Sequence, residues 1–408
     1  MSKSKTIFYV SRLLYPKYHP IWLVIYMYFK YHSVIKRHIK YNLKTLSDGV
    51  LWNIVKNYPK SNCDINNCVL IHPDNIYPSD KILRLYHEDS GTSRKLQVIP
   101  ETNCNKNTLY VSNTYFYNDF IMKIDFDLKL SKQGTKVEFA QEIELSLVSI
   151  PCDISNAIID KIIENYFKLP KLICHKDIVS VNLKYFCQEL FYGEPKLNLI
   201  ENVYFKCNKL IYNNKEVDNE YLCLVGETSI RLGPNVQSFV PKVILMPTEM
   251  GSFSEVTVIP SGLEQEFEQL ENAIYPFLSN KSLKLKPIFL VQGEEGCGDD
   301  VLIKALAKTE GMHHFRVNNS DLSANVYAQN ESKLNNVFFT AKMAAPCILS
   351  IHKFEVLECS SFRPRGKPPS QNWCKQFLKG EFFSHNSSKF LQIPLNPCKF
   401  LQIPQKFL

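Results

Sequence analysis

The segment Lys286-Pro-Ile-Phe-Leu-Val-Gln-Gly-Glu-Glu-Gly-Cys-Gly-Asp-Asp300 constrains this chain more than any other. Gly293 and Gly298 hold the two fixed glycines of the phosphate-binding pattern G-x-x-x-x-G-K-[ST], with Gly296 between them and an apolar run, Ile288 to Val291, before them. That spacing predicts strand, glycine turn and helix, the frame of an α/β nucleotide-binding loop. The chemistry of the loop is reversed. Where a lysine would neutralise phosphate and a hydroxyl would ligate magnesium, the chain has Asp299 and Asp300.

Replacing a cation by an anion about 4 Å from a phosphate turns an attraction of ~4 kcal/mol into a similar repulsion at an effective dielectric near 20. The backbone amides of the following helix still favour an anion. Weak ATP and magnesium binding, or none, is therefore expected at Gly293, Gly296, Gly298, Asp299 and Asp300, a degenerate phosphate-binding loop. The plainer alternative is a glycine-rich strand-to-helix turn, with Asp299 capping a helix that starts near Val301.

About fifty residues on, a second element stands where such a loop needs it. Apolar spacing at Leu334, Val337, Phe338 and Ala341 predicts a helix, and Pro346-Cys-Ile-Leu-Ser-Ile351 predicts the strand after it. In AAA ATPases four apolar residues precede Asp-Glu, which support magnesium and polarise the attacking water. Here His352 and Lys353 follow the strand. No residue is assigned a catalytic role, and no metal site is expected.

Residues 260 to 357 thus resemble an AAA ATPase core. It opens with an amphipathic helix, apolar at Leu263, Phe267, Leu270, Ile274 and Phe277, and continues through a helix Val301 to Glu310 and a strand His314 to Val317. On Gly296-Cys297-Gly298, Glu331-Ser-Lys-Leu334 and Pro346 to Leu357, it is similar to the first, degenerate ATPase domain of the peroxin-six family. Two features depart from that family. The loop lysine usually kept there is absent, and no second ATPase domain follows, so the AAA fold is expected to end after its third strand. An aromatic pore-loop residue would fall at Tyr327, which reads equally as a surface tyrosine.

Past Leu357 the chain turns to Pro, Ser and Arg, then repeats Lys389-Phe-Leu-Gln-Ile-Pro394 as Lys399-Phe-Leu-Gln-Ile-Pro404. Two short copies do not make a stacked architecture. Residues 359–408 are expected to be an unstructured tail, an aberrant translation or a short linker.

Composition bounds the rest. Of the 408 residues 45% are apolar and 12% aromatic, enough for several ordinary cores. The formal charge of +8 sits at the ends: residues 1–50 hold nine Lys and Arg against Asp48, and residues 359–408 hold eight against Glu381. The middle is left near −7, which argues against a nucleic-acid-binding core. The basic N-terminus carries an apolar run Ile21 to Phe29, too short to span a bilayer, so a core helix or surface association is expected. Thirteen cysteines without a repeating interval read as free thiols of a reducing compartment. Cys63 and Cys68 have no second pair at zinc spacing, and His313 and His314 alternate across a strand rather than converging.

Between Asn62 and Lys242 short apolar runs alternate with turn residues. Examples are Val69 to His72, Lys81 to His87, Leu109 to Val111, Val137 to Val148 and Val203 to Tyr212, the last closed by Asn213-Asn214; a helix is expected at Asn156 to Tyr166. The fold class expected is therefore α+β and multidomain: a basic helical segment at 1–60, β-rich N domains at 61–155 and 156–250, and an incomplete AAA domain at 251–358. The resemblance makes the N domains double-psi barrels, although the strands alone accept any small barrel or sandwich.

The resemblance also implies a function. It places the chain in peroxisome biogenesis, in a receptor-export complex that recycles matrix-protein import receptors, in the cytosol and peripheral at the peroxisomal membrane. Implied partners are a peroxin-one-like AAA paralogue in a hetero-hexamer, a peroxisomal membrane anchor protein and a ubiquitinated import receptor, with no nucleic acid. This chain would bind rather than hydrolyse. Alternatives are a nucleotide-independent adaptor, or the N-terminal part of another double-ring AAA segregase.

Overall fold

A computed structural model describes residues 41–56, 64–76, 82–87, 93–119, 128–131, 137–187, 200–243, 259–279, 287–289, 291, 293, 296–322, 327–352 and 390–393. These fall into two compact units, one built around Val69–Tyr110 and one taking in Thr45–Cys68, Val111–Met122 and the described residues from 137 onward.

The first unit is organised by a six-stranded sheet. Its strands are β1 (Asn42–Leu46), β2 (Cys68–Ile71), β3 (Ile82–His87), β4 (Ser93–Pro100), β5 (Thr108–Ser112) and β6 (Leu128–Ser131), in the order β1-β5-β2-β4-β3-β6. β3 runs antiparallel to β4, with Ile82 opposite Gln97, and to β6, with His87 opposite Leu128. Every residue of β2 and β5 is buried. Both faces of these strands are covered, so they read as continuous apolar runs without alternation. Of the N-terminal segment expected to be helical, the described part holds strand β1 and a helix, α1 (Asp48–Lys56). Its earlier residues lie outside the described ones.

The second unit begins with a β-rich part. It comprises α1, α2 (Asn113–Asp119), β7 (Glu142–Leu147), α3 (Asn156–Tyr166), β8 (Lys171–Ile173), β9 (Ile178–Asn182), α4 (Leu183–Phe186), β10 (Asn202–Tyr212), β11 (Lys215–Glu216), β12 (Tyr221–Cys223) and β13 (Ser229–Leu232). The main sheet has the order β11-β10-β7-β13, β9 also pairs with β10, and β12 pairs with β8. Asn213 and Asn214 turn the β10–β11 hairpin with φ of 51° and 58°. A two-residue loop with both central residues left-handed matches the strand twist, and Asn tolerates it better than most residues. Helix α3 buries Ile159, Ile162, Ile163 and Tyr166, one helical stripe, into a core with Leu145, Val181 and Phe205.

The boundary expected at 155/156 falls inside this sheet. β7 lies before it, yet pairs antiparallel with β10 and parallel with β13. Turn residues mark where a strand ends, but not which later strand it pairs with, and these partners lie more than fifty residues away.

A buried polar network ties the segment before β2 into this core. The Tyr166 hydroxyl lies 2.9 Å from Asp64 Oδ1, and Asn66 Nδ2 donates to that hydroxyl at 2.7 Å and to the Ser180 carbonyl at 2.8 Å. Lys171 Nζ stands 3.8 Å from Asp64 Oδ1 and 4.6 Å above the Tyr166 ring, both charged residues being 1% exposed. A buried charge that loses its partner costs about 3–5 kcal/mol, whereas removing both charges together costs little.

The ATPase-like part is a parallel β-sheet covered by helices. Its elements are α5 (Glu264–Ser279), α6 (Asp299–Glu310), β14 (His313–Asn318), α7 (Asn319–Leu322), α8 (Tyr327–Met343), β15 (Cys347–His352) and β16 (Phe390–Ile393). β15 is the central strand, parallel to β14 with His313 opposite Cys347 and parallel to β16 with Cys347 opposite Phe390. Helix α8 makes the crossover that parallel neighbours require. All six residues of β15 are buried. Ile348 joins Phe267, Leu270 and Ile274 of α5 and Leu302, Ile303 and Leu306 of α6, while Leu349 and Ile351 join Leu334 and Ala341 of α8.

Two expectations change here. The strand predicted at Ile288 to Val291 appears, among the described residues, only as a bridge at Ile288, with Val291 buried in the α5–α6 core. Strand β16 lies inside the segment 359–408 expected to be unstructured. The reason is that β15 has a second edge, and a short apolar run such as Phe390-Leu-Gln-Ile satisfies it. No described helix is long and apolar enough to cross a membrane.

Replacing Lys171 with Met is expected to lower unfolding free energy by about 3 kcal/mol, because Asp64 keeps its charge in the core. Adding Asp64→Asn in the same chain should recover most of the loss. Urea denaturation of the two variants beside the parent measures both.

Candidate functional site

The glycine turn owes its shape to two left-handed residues, Gly296 at φ 89° and Gly298 at φ 94°. Side chains rarely adopt that conformation. Gly293 lies close to a side chain: a Cβ there would meet Cys297 Sγ, which would have to move aside. Gly298 is the N-cap of α6, and no side chain caps the helix. Asp299 is therefore the first helical residue and not the cap expected of it. With Asp300 it puts two carboxylates in the first turn, where the helix dipole favours negative charge.

The strand ends bring four polar side chains to this turn. Because β14 and β15 pair in parallel with Arg316 opposite Ser350 and Asn318 opposite His352, His314, Arg316, Ser350 and His352 share one face. Arg316 Nη1 donates to Asp300 Oδ2 at 2.7 Å. The His352 ring lies between both carboxylates, with Nδ1 3.5 Å from Asp299 Oδ2 and Nε2 3.4 Å from Asp300 Oδ1. Ser350 Oγ stands 3.4 Å from His352 Nε2 and 2.8 Å from His314 Nε2.

Electrostatics keep the imidazoles neutral. Burial lowers the pKa of His352, Arg316 lowers it further, and Asp300 and Asp299 pull the other way with a smaller effect. Burial brings His314 down to about 4. The two aspartates thus face one guanidinium, that of Arg316, beside the His352 imidazole. The Asp300–Arg316 pair is part-exposed, so its stabilisation is at most about 1 kcal/mol. Its consequence is positional, since it ties Asp300, which stands at the hydroxyl position of the phosphate-binding pattern, to β14.

The structure brings all five positions singled out from sequence, Gly293, Gly296, Gly298, Asp299 and Asp300, to one turn, and adds His352 from the strand end. Arg316 was not singled out from sequence, and His314 was weighed there only as a metal ligand beside His313. Their signal was the alternation of β14 itself, which puts His314 and Arg316 on one face and His313 on the other. Lys353 lies outside the described residues, and so does the side chain of Tyr327, which opens helix α8. Among the described residues no His, Cys, Asp or Glu cluster is arranged to hold a metal ion.

The residues present do not fit magnesium and nucleotide. A phosphate would meet Asp299 instead of a lysine, and a metal ion would meet a neutral imidazole and a carboxylate already held by Arg316.

On the opposite face, His313 packs edge-on against Tyr204, with ring centroids 6.4 Å apart, and burial lowers its pKa to about 4. Its Nε2 is buried with no hydrogen-bond partner among the described residues. For His313 and His314 the folded pKa lies below the unfolded value of 6.5, so their stabilising neutral forms are fully present above pH 6.5 and lost as pH falls towards 4. Stability should decline across that window, and His313→Phe should remove about one proton, or ~1.4 kcal/mol per pH unit, from the slope. Urea unfolding at pH 7, 6 and 5 checks the sign and size.

A family model described as "ATPase family associated with various cellular activities (AAA)" matches residues 289–379, so the match runs past the boundary expected at 358. Among curated proteins, the human "Peroxisomal ATPase PEX6" is 26% identical over 223 residues, 54% of this chain and 22% of that protein. The Dictyostelium discoideum protein of the same name is 30% identical over 167 residues, 38% of this chain and 14% of its own length. The Arabidopsis thaliana one is 22% identical over 292 residues, 62% of this chain and 30% of its own. The chain thus spans 14–30% of the length of these curated relatives. Over the matched part, the chain is similar to the AAA family model and to curated proteins named "Peroxisomal ATPase PEX6".

Proposed function

We propose that this chain is a non-hydrolytic AAA protein of peroxisome biogenesis, a scaffold whose phosphate-binding loop is closed by its own side chains. The observation that carries this reading is the Asp299, Asp300, His352 and Arg316 cluster. An ATPase places a lysine and a hydroxyl on the loop and carboxylates on the facing strand. This chain has carboxylates on the loop and a histidine on the strand, a reversal at both positions.

The PEX6 relatives support the cellular setting. On that likeness the chain acts in the receptor-export complex that recycles matrix-protein import receptors. It would assemble with a peroxin-one-like AAA paralogue in a hetero-hexamer, meeting a peroxisomal membrane anchor protein and the ubiquitinated import receptor through its β-rich N domains. Those domains would be double-psi barrels. The protein would be cytosolic and peripheral at the peroxisomal membrane, binding ATP and magnesium weakly or not at all.

Binding of a fluorescent ATP analogue with magnesium to the full chain tests the reading. The parent is expected to bind with Kd weaker than about 1 mM, corresponding to less than ~4 kcal/mol. An Asp299→Lys, Asp300→Thr, His352→Asp variant, which restores the usual signs, should bind at least about tenfold tighter, a gain of ~1.4 kcal/mol. Tight, magnesium-dependent binding by the parent would sink the proposal.

A further inference from the structure

The segment from Gly233 to Val243 leaves the β-rich part and reaches the ATPase-like part, and its polar groups are paired along the way. At its start it extends β13 along β7: Gly233 N donates to the Leu145 carbonyl at 2.8 Å, Val236 N to Leu147 at 2.9 Å, and Ser149 N to Val236 at 2.9 Å. The Tyr117 hydroxyl of α2 donates to the Phe239 carbonyl at 3.3 Å. Further on, its donors turn to the other part. Gln237 Nε2 donates to the Lys342 and Met343 carbonyls at 2.9 and 3.1 Å, at the C-terminus of α8. Val240 N donates to the Gly311 carbonyl and Val243 N to the Lys308 carbonyl, both at 2.9 Å, at the C-terminus of α6.

Helix C-termini leave carbonyls without intrahelical partners, which something must satisfy. Here one segment supplies donors to two helix ends at once. Charge pairs lie beside it: Lys242 to Glu310 at 3.2 Å, and Lys308 of α6 to Glu201 of the β-rich part at 3.0 Å. Gly311 is the close approach that permits the docking. Its φ is 66°, and a Cβ there would collide with the Val240 carbonyl oxygen.

We propose that residues 233–243 form a strap that locks the second β-rich part and the ATPase-like part into one cooperative body, opened only by releasing the C-terminal ends of α6 and α8. The β-rich part and the ATPase-like part belong to the same compact unit. The lock lies at the end of α6 opposite the glycine turn, about 18 Å away for twelve residues at 1.5 Å each. The strap therefore holds whatever the state of the loop.

Hydrogen exchange on the full chain tests this. In the parent the Val240 and Val243 amides should be protected together with the cores on both sides. Gly311→Ala should raise exchange at both amides by about tenfold or more, equal to ~1.4 kcal/mol, whereas Asp300→Thr at the other end of α6 should leave them unchanged. If Gly311→Ala does not fold, Gln237→Ala, which frees only the α8 end, should raise exchange at the same two amides. Free exchange of Val240 and Val243 in the parent, or unchanged exchange in the variant that folds, would overturn the proposal.

Discussion

Strand β15 is buried along its whole length, and the arrangement of the ATPase-like part follows from how its two faces are filled. Ile348 turns to α5 and α6, while Leu349 and Ile351 turn to α8. A strand covered on both faces cannot slip by one residue without moving each apolar side chain to the wrong core. Register is therefore fixed, and with it the position of His352 at the strand end, facing the first turn of α6. The polar cluster at the loop is a consequence of apolar packing some residues away.

Given that placement, the charges decide what the loop can do. Asp299 and Asp300 complement the helix dipole, Arg316 takes one oxygen of Asp300, and His352 sits uncharged between the two carboxylates. From the sequence alone the aspartates are bare anions that repel phosphate. In the fold Asp300 Oδ2 accepts from Arg316, and the His352 ring lies between the two carboxylates. The proposed mismatch with magnesium and nucleotide thus has a geometric argument beside the Coulombic one.

Much of the fold was legible because local periodicity survives where packing is simple. Asn156 to Tyr166 is the predicted helix residue for residue, β10 differs from its expected span by one residue, and the buried stripe Phe267, Leu270 and Ile274 is the one expected of α5. What stayed hidden was non-local. The pairing of β7 with β10 and β13, the insertion of Asp64 and Asn66 beneath Tyr166, and strand β16 all join residues far apart in the chain. At the site, the glycines and aspartates were visible as a motif. Arg316 and His314 were not, because a side chain's partner across a parallel sheet depends on a register that no single segment specifies.

The two ends of α6 show why a loop of this kind can persist without a ligand to hold it. In an ATPase the first turn of the corresponding helix is ordered partly by the phosphates it binds. Here the first turn is held by side chains, and the last turn by backbone donors at Val240 and Val243 and by Lys308 paired with Glu201. A helix anchored at both termini by its own chain has little to gain in order from a nucleotide, so a ligand would have few differential contacts through which to shift its conformation. On the proposed reading, side chains at one end of α6 and backbone donors at the other supply the partners that a bound phosphate would otherwise offer at the first turn.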